Sequence, residues 1–551
     1  MDFTLEKLST SEQVEKIANW LVEMPSVNGT SGEVKIVDEI AGFIKSFPYF
    51  KEHPDQVWCL DIEGDPLGRK NVFALIKGKQ SSNKTVIFHS HIDTVDVKDF
   101  GQLEEHAFNP EKLLEFFKGW KGNDEIQEQA QSGDWLFGRG CLDMKSGFAV
   151  HLTNFLHFSE RPNEFEGNIL LMANPIEETS HGGIIAATDE LVRLKKEESL
   201  DFVAAINNDY TSAFYPGDPN KYIYTGAVGK CLPSFYVYGR ETHVGETLKG
   251  LDPTLVTAEL NRLINNNMNL SEQVEGELVL PPCTLLHREI KDHYTVQTPI
   301  ASYIYFNYMI YERSPKEITY QLKRIAEEAS DTVRNHYEAQ YEQFLRTNGF
   351  PDRTLSWDLA VYTFSEFCEK LTKQGLNVKK ISANVFAENK GEDIRNVAFK
   401  LVDKLRTLDE NMQPCIILFF GAPYVPYTYL KEKNEREKAV LKVIEEQADL
   451  VGKETGESFA IKRFFPYLSD SSYMSLVDVQ DELNDLTDNF PEWDSLSMVP
   501  IDNLRELDIP SINLGTYGFD AHKWTERVYK PYTFDTLPRL TKQMTEAFLK
   551  L

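Results

Sequence analysis

Five apolar stretches of this chain each run into a histidine or a carboxylate, and that recurrence restricts the fold more than any other feature. The first is VIFHSHIDTVD, residues 86–96. Val86, Ile87 and Phe88 show no polar alternation, which marks a buried strand. An apolar strand ending in imidazoles and a carboxylate fits an α/β enzyme, whose sites lie outside the carboxyl ends of its strands. His91 and Asp93, two apart in extended chain, share a face. His91 therefore reads as a metal ligand, with Asp93 fixing its ring from behind.

The other four stretches come in order along the chain. LFGRGCLDMKSGFAVHL carries Asp143 on a loop just ahead of a helix that begins with the apolar run from Phe148. NILLMAN, residues 168–174, ends in Pro175-Ile176-Glu177-Glu178. Neighbours in an extended segment point to opposite sides, so one glutamate binds metal while the other faces a water. FVAAINNDYT reaches Asp209, and SINLGTYGFDAH reaches His522. Taken singly, each has an ordinary explanation: a satisfied loop polar, an N-cap or a solvated acidic turn. Taken together, His91 and His522 with Asp143, Glu178 and Asp209 suit a two-metal site. One carboxylate bridges, and each ion takes one histidine and one further carboxylate. Such ions lie about 3.5–4 Å apart and share a water. Nitrogen and oxygen donors point to zinc first, with cobalt or manganese next.

Local patterns give the order of elements. Thr10 and Gln13 make a capping box for a helix carrying Val14, Ile17, Ala18 and Leu21, which must stop by Pro25. A second helix follows Ser31, with Ile36, Val37, Ile40 and Ile44 on one face. The acidic and aromatic segment 98–131 reads as a surface insertion. After Asp209, the strand KCLPSFYVYG, the helix PTLVTAELNRLINN, two strands and the helix PKEITYQLKRIAEEASDTVRNHY form a β-α-β-β-α unit. Segment 351–430 holds two helices and the strand CIILFF, with no sign of which domain it joins. The expected division is therefore 1–224, an inserted 225–430, and a return at 431–551.

Charge and cysteine content exclude several functions. Of 551 residues, 58 are basic and 86 acidic, a net charge of −28, which argues against nucleic-acid or anionic-membrane partners. Neither an apolar run of membrane-spanning length nor a basic-then-apolar leader is visible. The six cysteines are scattered without a CxxC pair, as in a reducing compartment. The expected location is the cytoplasm.

The segments SHIDTV, GRGCLDMKSG, NPIEE, NNDYT and GFDAH resemble those of the aminoacylase, carboxypeptidase and desuccinylase family of co-catalytic zinc hydrolases. INNDYTSAFYPGD, YTGAVGKCLPSFYVYGRETHVGE and FFPYLSDSSY resemble its arginine-utilisation branch, and the likeness spans essentially the whole chain. The resemblance implies a zinc-peptidase-like α/β catalytic domain, with a central mixed sheet flanked by helices, interrupted by an inserted α+β lid domain. It implies His91 and Glu178, and Asp209 and His522, as ligands of the two metals. Asp143 would be the bridge, Asp93 the orienter of His91 and Glu177 the general base. His243, in the loop RETHVGETLKG, matches the family histidine that reaches the reacting carbonyl and its oxyanion. The implied substrate is a peptide or N-acyl amino acid, in arginine or amino-acid catabolism, and the implied state a monomer or homodimer.

Two positions depart from the family pattern. Ser146 stands where many members have glycine. Many members also end a lid strand in Asp-x-Arg, whose arginine holds a substrate carboxylate. Here that strand reads YIYFNYMIYERSP, with Asn307 and no arginine two residues on, and Arg313 is the candidate in its place. A non-catalytic metal- or amino-acid-binding protein on the same fold is the rival reading, but it has no use for Glu177. A serine or cysteine hydrolase is disfavoured because no G-x-S-x-G elbow is present.

Overall fold

Helix Thr10–Val22 opens the fold, and its cap sits one residue earlier than the pattern predicts. Ser9, not Thr10, has the extended backbone of a cap. Its hydroxyl accepts from the Glu12 N–H, and the Glu12 carboxylate accepts from the Ser9 N–H in return. Gln13 instead donates to the carbonyls of Leu5 and Leu8. The second helix, Gly32–Lys45, buries Ile36, Val37, Ile40 and Ile44 as expected. The computed structural model describes residues 5, 7–79, 81–291, 293–477, 480–496 and 499–551.

The chain forms two compact units. The first comprises residues 1–228, 428–476 and 500–551; the second comprises 229–427 and 477–499. Segment 477–499, expected within the returning part of the first unit, thus belongs to the second.

An eight-stranded mixed sheet is the spine of the first unit. Its order is Val57–Asp61, Lys70–Lys77, Asn168–Asn174, Lys84–His91, Asp201–Asn207, Ser511–Leu514, Asn220–Tyr224 and Ser458–Lys462. Strand Lys84–His91 lies parallel to both neighbours, with His91 level with Asn174 and His89 level with Asn207. That register fixes the site. Glu177, three residues past Asn174, and Asp209, two past Asn207, leave the sheet at the same edge as His91. The apolar strand residues Val86, Phe88, Ile169, Leu171, Ala204 and Ile206 are fully buried, and so are Ile87, Leu170 and Ala205 on the opposite face, so these strands run through the core with both faces covered.

Segment 98–131 is not a simple surface insertion. Its helices Pro110–Gly119 and Asp124–Ser132 bury Phe100, Leu113, Phe117, Ile126 and Ala130 with Phe137 in a small core of their own. Trp524 packs against Phe117 and Trp120, with ring centroids 5.5 and 4.9 Å apart, and so tethers the loop that carries His522. The aromatic residues that make this segment conspicuous are what hold it down.

The second unit is built on a five-stranded sheet, ordered Cys283–Glu289, Ala301–Ile310, Gly229–Tyr238, Cys415–Val425 and Ala360–Thr363. The last two strands come from segment 351–430, whose domain the sequence alone does not assign. Helix Pro315–Thr347 runs ten residues beyond the expected end at Tyr337, because Tyr341 and Leu345 keep the buried spacing.

Candidate metal centre

The site is assembled from strand ends and the turns beyond them. Asp143 lies between two imidazoles: its Oδ1 is 2.9 Å from His91 Nε2 and its Oδ2 is 3.0 Å from His522 Nε2. His522 Nε2 also lies 3.1 Å from the Glu178 carboxylate. The donor atoms fall into two groups that share Asp143, namely His91, Asp143 and Asp209, and Asp143, Glu178 and His522. All five expected donors thus come together, but their pairing differs from expectation. His91 goes with Asp209 and His522 with Glu178. Strand order does not decide this, since the His91 strand is flanked by both the Glu178 and the Asp209 strands; the turn beyond Asn174 instead carries Glu178 to the His522 ring.

Glu177 and Glu178 are not at an extended strand end. After Asn174 the chain turns through Ile176, whose φ is +70°, into a short helical turn, Glu177–Ser180. Their side chains therefore diverge by about 100°, the step of an α-helix, rather than 180°. Asp93 holds this turn. Its carboxylate accepts from the N–H groups of Glu177 and Glu178 at 3.0 and 3.1 Å and from the Asn28 amide at 2.8 Å. Orienting His91 falls mainly to the Asp93 carbonyl, 3.1 Å from Nδ1, whereas the carboxylate stands 3.7 Å away. Buried Glu33 adds a second anchor, accepting from the Ile176 N–H at 3.2 Å.

The electrostatics are those of a cluster built around positive charge. Burial, with the charges of neighbouring carboxylates, pushes Glu177 and Asp209 well above the usual carboxylate range, and pushes Glu178 up as well. Burial opposes protonation of the imidazoles, yet the hydrogen bonds to Asp143 and the surrounding carboxylates outweigh it. His91 is raised well above its ordinary value and His522 to about 11. Asp143, flanked by both rings, is lowered despite its burial. Two imidazoles and three carboxylates that converge around Asp143 are a donor set that fits two divalent cations.

Glu526 is a supporting residue absent from the sequence-based candidates. Its Oε1 accepts from the backbone N–H groups of Leu142 and Asp143 at 3.0 and 3.2 Å, and its Oε2 pairs with buried Arg139 at 2.8 Å. Arg139 continues to Asp99. Gly140, with φ +76°, closes this loop against Thr94, where a Cβ would stand 2.5 Å from the Thr94 methyl. The sequence offers little signal for it: Glu526 stands between polar Thr525 and Arg527 in the run WTERVY, with Trp524 and Val528 one step further out. Glu526→Ala leaves Arg139 short of one partner and two buried N–H groups unpaired. It is expected to cost about 3–5 kcal/mol, read from the urea midpoint of metal-free protein. An unchanged midpoint would contradict this account.

His243 and Arg313 lie in the second unit. His243 Nδ1 accepts from the Gly245 N–H at 3.1 Å, which leaves the ring proton on Nε2. Arg313 donates to the Leu270 carbonyl, the Tyr308 hydroxyl and Gln321, tying a strand end to helix Pro315–Thr347. These partners give no support to its expected role in holding a substrate carboxylate.

Comparison with known proteins agrees with this architecture. The family description "Peptidase family M20/M25/M40" matches residues 87–550. Protein RocB of Bacillus subtilis is 46% identical over 551 residues, covering 100% of this chain and 97% of RocB. The uncharacterised protein YqjN of the same organism is 33% identical over 549 residues, covering 98% and 97%. Among solved structures, a Staphylococcus aureus tripeptidase superposes with a TM-score of 0.52 at 12% identity, covering 98% of this chain and 99% of its own. An M20 family metallo-carboxypeptidase from Sulfolobus solfataricus gives 0.52 at 12%, covering 98% and 100%. The chain belongs to the M20 peptidase family and is a metallopeptidase-type hydrolase of C–N amide bonds.

Proposed function

We propose that this enzyme cleaves the amide bond of a peptide or an N-acyl amino acid at a centre of two divalent ions, zinc ahead of cobalt or manganese. The observation that carries the reading is Asp143, whose two oxygens face two separate histidine–carboxylate groups. A fold neighbour of 9% identity, from Bacillus subtilis, is described as a dinuclear metal-binding peptidase. His91, Asp143 and Asp209 would hold one ion, and Asp143, Glu178 and His522 the other. Bound there, such ions make a water acidic enough to ionise near neutral pH and offset charge growing on the carbonyl oxygen.

The remaining steps belong to the protein. Glu177, buried beside the ligands but in neither group that shares Asp143, takes the proton of the attacking water and returns it to the leaving amine. Asp93 holds the Glu177–Glu178 turn in place. His243, with its proton on Nε2, supplies a donor for the oxyanion. Likeness to RocB supports a place in arginine or amino-acid catabolism. The six free cysteines, and the lack among described residues of any helix long and apolar enough to cross a membrane, accord with a cytoplasmic enzyme.

Elemental analysis is expected to find close to two divalent ions per chain. A screen of dipeptides and N-acyl amino acids should find a substrate whose hydrolysis chelation abolishes. Metal must displace protons from the raised imidazoles and carboxylates, so affinity should rise with pH. Full activity in metal-free protein would end this reading.

A further inference from the structure

A third group of ionisable side chains lies against the Glu177–Ser180 turn: Glu177, His181 and Asp470, with donor atoms within 4.8 Å of one another. His181 Nδ1 stands 3.0 Å from Asp470 Oδ1 and 3.5 Å from Glu177 Oε1. All three side chains are at most 10% exposed. One ring nitrogen therefore faces two buried carboxylates. The shorter contact, to Asp470, selects the tautomer with the proton on Nδ1, as carboxylates behind metal-bound imidazoles do elsewhere. The Tyr473 ring, with its centroid 5.3 Å from that of His181, packs beside the imidazole.

The backbone gives a second, independent sign. His181 has φ +56° and Ile176 φ +70°, so two left-handed non-glycine residues bracket the turn that carries Glu177. A β-branched residue in that region is a true outlier. Such strain persists only where the surroundings over-determine it, and it gathers at functional sites. Gly183 shows how tightly this stretch is packed, since a Cβ there would lie 2.2 Å from the Pro175 carbonyl oxygen.

We propose that His181, held by its Nδ1–H donating to Asp470, is a positioning residue for Glu177: the ring edge, 3.5 Å from Oε1, fixes how the carboxyl turns and leaves Oε2 for the proton of the attacking water. The proposal rests on the reading of Glu177 as general base. It gives a task to Asp470, which lies in FFPYLSDSSY and stands outside both groups that share Asp143.

The test uses the full metal-loaded chain and two variants chosen for the left-handed backbone. His181→Gly removes the imidazole without adding strain. His181→Asn tolerates the same φ and places an amide N–H near the Nδ1 position. Nitrogen-15 NMR should show His181 protonated at Nδ1 in the natural chain, with that signal lost in Asp470→Ala. Crystal structures should show the Glu177 carboxylate turned in His181→Gly and restored in His181→Asn. On an amide substrate cleaved by the natural enzyme, His181→Gly should lower kcat about 10–100-fold, the usual cost of losing a group that orients the active residues from behind. KM and metal content should stay unchanged, and His181→Asn should recover most of the rate.

An unprotonated Nδ1, or an unmoved Glu177 with unchanged kcat in His181→Gly, would overturn the proposal. So would a third bound ion that disappears with the imidazole. Glu177→Gln with undiminished turnover would instead remove the general-base reading itself. The spectroscopic and crystallographic results need no substrate and decide the geometry either way.

Discussion

Glu177→Gln is expected to lower turnover by about 10²–10⁴-fold, the usual contribution of positioned proton transfer, while both metal positions stay filled. The substitution keeps the size of the side chain and much of its hydrogen bonding. It removes only the ability to accept a proton. The geometry separates this variant from its neighbour. Glu178 lies in the group with Asp143 and His522, 3.1 Å from the His522 ring, whereas the Glu177 contact that stands out is with His181. Glu178→Gln should therefore lower metal content first and activity as a consequence. Burial keeps the Glu177 carboxyl well above the ordinary range in the metal-free protein, and bound cations would bring it down, towards the working range of a general base. Metal stoichiometry and kcat measured together for both variants decide the matter. Loss of metal in Glu177→Gln with retention in Glu178→Gln would reverse the two roles.

Much of this centre is legible in the sequence because its donors sit where buried strands end. Period and composition expose such strands: Val86–Ile87–Phe88 and Ile169–Leu170–Leu171 can hardly be anything else. The turns beyond the strand ends are less legible. An apolar strand leading into Glu177–Glu178 predicts extended chain, yet the Asp93 carboxylate and the strained Ile176 close the segment into a helical turn. That capping interaction spans more than 80 residues, and no local pattern encodes it. The same applies to Glu526, which reaches the Asp143 loop across 383 residues, and to Asp470, 289 residues from His181. The pairing of ligands departs from expectation because it depends on where the turns beyond the strand ends place Glu178 and His522, which single-segment periodicity does not contain. Segment 351–430 is ambiguous for a related reason. Its strand Cys415–Val425 pairs with the distant upstream strand Gly229–Tyr238, from Cys415 opposite Tyr238 to Val425 opposite Lys230.

Asp143→Ala should empty both metal positions, whereas Asp209→Ala and His522→Ala should each weaken one. Asp143 alone belongs to both donor groups, and each of its oxygens faces a different imidazole. Without it, one group keeps His91 with Asp209 and the other keeps His522 with Glu178. Two protein donors fall short of the three or four that zinc sites normally draw on. A terminal variant leaves the opposite group whole, so one ion per chain should survive dialysis. The metal-free protein offers a second measurement. There Asp143 contributes to holding His522 at about 11, through a hydrogen bond and direct charge. Removing it should let that imidazole titrate closer to its ordinary value, as followed by NMR of the ring. Dialysis and then elemental analysis separate the alternatives: Asp143→Ala protein that still carries two ions, or loses only one, would show that this carboxylate does not bridge.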